Sequence, residues 1–172
     1  MIKFSKANIL QKLLVNAPII VLFISVLNEF DFNYLELKYF SFNFPFILIF
    51  FWSLKKSESL GYGLIFLAGL FNDVVVGLPI GISSFCYLLI CAITSYIRQI
   101  TLSPKFINDW LSFIVAVLLI NSIQVIILDL IFLYQVDYMS YLINSGFTFL
   151  FYPLFFILFN ILNSKISLKK ND

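Results

Sequence analysis

The sequence predicts an all-α integral membrane protein of about six transmembrane helices, with almost no soluble part. Three observations carry that expectation. The chain is 62% hydrophobic and only 12% charged, with a mean hydropathy of +1.01. Its apolar residues gather into runs long enough to be helical spans rather than alternating as barrel strands do. The basic residues fall in every second connection between those runs. Soluble domains run near 45–50% apolar and about 25% charged, so a soluble fold of this composition would expose large apolar patches and aggregate.

The apolar segments are Leu13–Leu27, Phe40–Leu54, Leu60–Val76, Ile82–Ile97, Trp110–Tyr134 and Tyr141–Leu162, and together they make a single transmembrane domain, 1–172. Several fall short of the ~20 residues that cross a typical bilayer. Lys12 can snorkel at the end of the first, and Tyr39 can sit in the interface at the start of the second. Lys3, Lys6 and Lys12 ahead of the first run look like the start of a signal peptide. The residues after the run are Asn28-Glu29-Phe30, which is no small-x-small cleavage site, so an uncleaved first span is expected.

Charge gives the orientation. The N-terminal segment has Lys3, Lys6 and Lys12, the second loop Lys55 and Lys56, the fourth Arg98 and Lys105, and the tail Lys165, Lys169 and Lys170. The first loop holds Glu29, Asp31 and Glu36 against Lys38, and the fifth holds Asp137 with no base. Ten of the eleven basic residues thus lie on one side, Lys38 being the exception. The positive-inside rule places both termini of this multi-pass chain in the cytoplasm. The longest connection, around 28–39, is too short to fold as a domain.

The richest stretch reads Gly69-Leu70-Phe71-Asn72-Asp73, then Gly77-Leu78-Pro79-Ile80-Gly81. It predicts a tight helical hairpin at the outer face. Gly77 suits the left-handed residue that ends a helix. Pro79 suits the first turn of the next helix, where a missing N–H is no loss. Gly81 allows close backbone approach. Asp73 lies one turn before Gly77, where the helix dipole and the hydrocarbon both disfavour a charge, so it needs a partner or a proton. Ser83, Ser84 and the free N–H groups opening the next helix are local candidates, and Lys38 is another. Asp73 and Asn72 therefore either lock the hairpin or meet another subunit or a ligand.

Other polar residues inside the spans suit hydrogen bonding between helices better than a transport path. Asn121 and Gln124 share one face of the fifth helix, Ser122 and Asp129 another, and Asn16 and Asn144-Ser145-Gly146 add to them. Phe40, Phe42, Phe44, Phe46, Phe50, Phe51 and Trp52 could line a pocket, but lipid-facing filler and interface anchoring explain them at least as well. Cys86 and Cys91 point to different sides of a helix and read as small packing residues. There is no His, no Ser-His pair, no metal cluster and no Gly-rich phosphate loop, so neither catalysis nor a cofactor is expected. A net charge of +2 is too small for a nucleic-acid surface.

The run Gly69-Leu70-Phe71-Asn72-Asp73 and Gly77-Leu78-Pro79-Ile80-Gly81 resembles the signature hairpin of the rod shape-determining protein MreD family. Size, span count and cytoplasmic termini agree with it. Members commonly carry Leu at Phe71 or Asn72, and Pro-Leu-Gly where this chain has Pro79-Ile80-Gly81. The resemblance implies a non-enzymatic scaffold of the cell-elongation complex. Its partner would be an MreC-like bitopic membrane protein, and the complex would link MreB to peptidoglycan synthesis by RodA and a class B transpeptidase. It also implies a fold similar to the S-components of energy-coupling-factor transporters, which makes a small-molecule binding or transport subunit the rival reading. Such subunits often dock through A-x-x-x-A, which does not occur here. Lys165, Lys169 and Lys170 are expected to meet anionic lipid headgroups at about 1 kcal/mol each.

The topology is directly testable. Cysteine labelling or reporter fusions at Asp31 and Asp137 are expected to report outside, and at Lys56 and Lys105 inside; reversal at either pair breaks the six-span scheme.

Overall fold

The computed structural model describes residues 16–27, 41–55, 60–101 and 105–168, with side chains through Ser164. Six helices follow in order: α1 (Ala17–Leu27), α2 (Phe44–Lys55), α3 (Tyr62–Val76), α4 (Ile82–Ile100), α5 (Phe106–Leu130) and α6 (Tyr138–Leu168). No strand occurs among the described residues. By length and composition α5 and residues Tyr138–Ser164 of α6 can each cross a membrane, and α1, α2 and α3 are shorter apolar helices.

α2 is the axis of the bundle. Every residue from Phe44 to Leu54 is buried, and α1, α4 and α6 pack around it. A helix that is apolar all round suits a protein core or a membrane span, and burial of the whole segment makes this one core. The expectation that its rings face lipid or anchor at the interface is therefore corrected. Phe46 meets Tyr87 edge-on at 5.9 Å, and Phe50 meets Phe113 at 5.0 Å. Tyr152 lies 4.5 Å from Phe113, nearly parallel to it. Rings thus fill the space between α2, α4, α5 and α6, in the tilted and edge-on arrangements that aromatic quadrupoles favour.

Polar side chains set the helix ends. Asn43 caps α2: its Oδ1 accepts the Phe46 N–H at 3.2 Å, which delays the helix to Phe44 where the apolar run begins earlier. Asp137 does the same for α6, accepting the N–H groups of Met139 and Ser140 at 3.1 and 3.4 Å. The Ser140 hydroxyl adds a bond at 2.7 Å, and these contacts hold the exposed Asp137 carboxyl below its ordinary range. α6 consequently starts at Tyr138 rather than Tyr141. α5 stops at Leu130, before the end of its apolar run, and Leu133 takes φ 50° in the connection. α4 runs on to Ile100 and is closed by extended Thr101.

Side-chain hydrogen bonds tie α6 to its neighbours. Asn144 donates to Ser41 at 2.9 Å, Thr148 accepts the Asn43 N–H at 2.8 Å, and Asn121 donates to Ser145 at 2.7 Å. Of the polar residues singled out in the spans, Asn121, Asn144 and Ser145 thus join helices. Ser122 instead bonds its own Leu118 carbonyl at 2.7 Å, and Asp129 accepts the Tyr138 hydroxyl at 3.3 Å near the α5–α6 turn. Cys86 and Cys91 are free and buried, and Cys91 accepts the Ser53 hydroxyl at 3.5 Å.

One polar atom in this core stands apart. The Tyr152 hydroxyl is buried without a hydrogen-bond partner among the described residues, an arrangement that costs about 1–3 kcal/mol. Tyr152→Phe keeps the ring stack and removes the hydroxyl, so thermal unfolding in detergent is expected to show unchanged or higher stability. A marked loss would show that the hydroxyl is bonded in the folded protein.

Candidate functional site

The site is the α3–α4 hairpin, the most closely packed helix pair of the bundle. α3 ends as its sequence suggests. Gly77 takes φ 77° and ψ 27°, and the N–H groups of Gly77 and Leu78 both bond the Asp73 carbonyl at 2.9 Å. The bond from Leu78 is the six-residue closure of a Schellman turn. Pro79 lies outside both helices, which corrects its placement in the first turn of the second. The chain turns once more through Ile80 and Gly81, with the Ile82 N–H reaching the Pro79 carbonyl at 3.4 Å. α4 starts only at Ile82, with Gly81 as its cap residue at φ 106°.

Gly81 has no side chain with which to cap α4, and Asp73 fills that role from the preceding helix. Its Oδ1 accepts the Ser83 N–H at 2.9 Å, and its Oδ2 accepts the Gly81 N–H at 2.7 Å. Ser83 is the second residue of α4, the usual target of a capping side chain. A bond to the cap residue's own N–H is the other half of a capping box. One carboxyl group thus makes both bonds, while its own carbonyl closes α3. The positive end of the α4 dipole faces the group and offsets its poor position at the end of α3. Asp73 is 0% exposed.

Asn72 works beside it. Its amide donates to the Ser83 hydroxyl at 2.9 Å. Ser84, a suggested partner of Asp73, turns away and donates to the Phe66 carbonyl at 2.8 Å. Lys38, the other suggested partner, lies outside the described residues. The structure therefore brings Asp73, Asn72, Gly81 and Ser83 together. Gly77 shapes the turn and Pro79 the connection without touching the carboxyl group.

The contribution of Gly69 goes unread in the sequence. A Cβ there would sit against the Ser84 backbone, 2.5 Å from its N and 2.8 Å from its Oγ. No open space surrounds it, whereas a Cβ added at Gly81 would meet no described residue within 4 Å, so Gly81 is glycine for its positive φ, not for close approach. Gly69 and Asp73 are one turn apart on the same face. Gly69 lets α4 come close enough for Asp73 to reach its first N–H groups.

The family model for rod shape-determining protein MreD matches residues 8–162, nearly the whole chain, with this hairpin inside the match. The chain belongs to the MreD family. Membership of the MreD family assigns it to rod-shape determination and, with its apolar helices, to the membrane. Comparison with curated proteins and with solved structures finds no match. In this MreD-family chain, Asn72 and Asp73 lie near the end of α3, and Gly77, Pro79 and Gly81 lie in the connection to α4.

Substitutions separate the glycine roles. Gly69→Ala is expected to lower the folded membrane fraction most, because the obstruction is backbone. Gly77→Val is expected to cost about 1–2 kcal/mol through its left-handed φ, and Pro79→Ala, outside both helices, little. Detergent-resistant folding by fluorescence-detected size exclusion ranks the three; a wild-type profile for Gly69→Ala would mean that α3 and α4 are not in contact there.

Proposed function

We propose that this chain is a non-enzymatic scaffold of the bacterial cell-elongation complex. In that role it partners an MreC-like bitopic membrane protein and so links MreB to peptidoglycan synthesis by RodA and a class B transpeptidase. The carrying observation is the MreD match across residues 8–162. The bundle supports the reading, because its interior is packed with rings between α2, α4, α5 and α6. The six-helix arrangement is also proposed to resemble that of the S-components, with both termini cytoplasmic as the charges suggest.

Within this reading the acid of the hairpin locks it and the apolar rim meets the partner. Asp73 is enclosed and both its oxygens are engaged. Val74, Val75, Val76 and Ile80 surround it on the exposed side, Ile80 at 74%. Helices associate in lipid by close packing and polar contacts, and Asp73 holds the shape on which that packing depends.

Purification in mild detergent is the decisive experiment. Recovery of a bitopic protein with a coiled-coil outer domain is expected; a bound vitamin or an ATPase module would establish the transporter reading instead. Asp73 variants test the lock. Asp73→Asn keeps one acceptor and Asp73→Leu neither, leaving two buried N–H groups at about 1–3 kcal/mol each. Folded yield is expected to fall in the order Asp, Asn, Leu, with partner recovered per folded molecule unchanged. A well-folded Asp73→Leu that loses the partner would make the acid a contact residue.

A further inference from the structure

α6 carries Pro153 in its interior. A proline there has no N–H to give, and its ring crowds the carbonyl one turn back, that of Phe149. In hydrocarbon a freed carbonyl needs another donor. Trp110 of α5 supplies it: the indole N–H meets the Phe149 carbonyl at 3.1 Å. The Trp110 ring lies flat on the Phe149 ring, 4.8 Å away at 12°, and Phe106 backs it at 5.9 Å and 22°. A side chain of one helix thus replaces the backbone donor missing from another.

The two halves of α6 are held differently. Before the proline, Asn144, Ser145 and Thr148 hydrogen-bond Ser41, Asn121 and the Asn43 N–H. After it, among the described residues, the contacts are between rings. Phe155 meets Phe42 and Phe44, Phe156 meets Phe51 and Phe106, Phe159 meets Phe51 and Trp52, and Lys55 lies over Phe156. Hydrogen bonds are directional and fix a register. Ring surfaces slide at small cost, the basis of shear between packed helices. Among the described residues the adjoining Tyr152 hydroxyl has no hydrogen-bond partner, so none of them anchors it at the pivot.

We propose that α6 is a two-part helix that pivots at Pro153, and that the Trp110 indole N–H is its latch. With the N–H bonded to Phe149, the two halves keep one relative orientation. With it released, the half from Leu154 onward swings across the phenylalanine surface of α2 and α5.

The test uses spin labels at Leu142→Cys and Ile161→Cys, exposed positions on either side of the proline, with Cys86 and Cys91 replaced by Ala and Ser. Electron–electron double resonance on the full chain in detergent is expected to give one narrow distance. Trp110→Phe keeps the ring stack and removes the N–H, and is expected to broaden that distance or add a second. Pro153→Ala returns the backbone N–H to Phe149, so Trp110→Phe in that background is expected to stay narrow. The proposal fails if the unsubstituted chain is already broad. It fails if Trp110→Phe changes nothing, or if it broadens both backgrounds alike. Should Trp110→Phe alone not fold, recovery of folded protein on adding Pro153→Ala supports the latch, and failure to recover overturns it.

Discussion

The hydrocarbon offers no water to a backbone, so each polar group at a helix end within it must find its partner inside the protein. That constraint organises this bundle. The clearest instance is Asp73, whose carbonyl closes α3 and whose carboxyl group opens α4. Asn43 meets the same need at the start of α2. The bundle is apolar in bulk, but its connections are fixed by a small number of amides, hydroxyls and carboxyls, and the apolar surfaces then pack around the geometry they set.

Much of this architecture was legible from residue pattern. Apolar runs place the helices, and Gly77 announces a helix end because a left-handed φ is costly for any residue with a Cβ. Phe44–Leu54 is apolar on almost every side, which suits a core and a lipid-facing span alike, so the interior place of α2 follows only from its packing against distant helices. What lay beyond the sequence depends on pairing between distant residues. Asp73 was visibly in need of a partner, but that both its oxygens go to the backbone of α4 follows from the close approach at Gly69. Ser84 stood as near in sequence as Ser83, yet it faces back along α3 to Phe66. Pro79 fits a first helical turn by type, and only the conformation of Gly81 moves the helix start past it.

Family membership gives the chain its place in rod-shape determination, and the structure indicates what surface its described helices offer. Many of its rings are turned inward: Tyr87, Tyr152, Phe46, Phe50, Phe51 and Phe113 are all enclosed. What remains outside is mostly branched and aliphatic, as on the hairpin rim of Val74, Val75, Val76 and Ile80. Recognition by such a surface depends on shape held constant, which is why the polar lock beneath the rim matters to anything that docks above it.

The bridge made by Asp73 also bears on how the protein is born. During synthesis the acid leaves the ribosome eight and ten residues ahead of the two N–H groups that satisfy it, those of Gly81 and Ser83. Until they follow, α3 ends in a polar group with nothing to bond but water or the lining of the insertion channel. Partition of α3 alone into lipid would strand that group, and partition of α4 alone would strand two amides. The bridge therefore favours entry of α3 and α4 into lipid as a joined pair over entry of either helix alone.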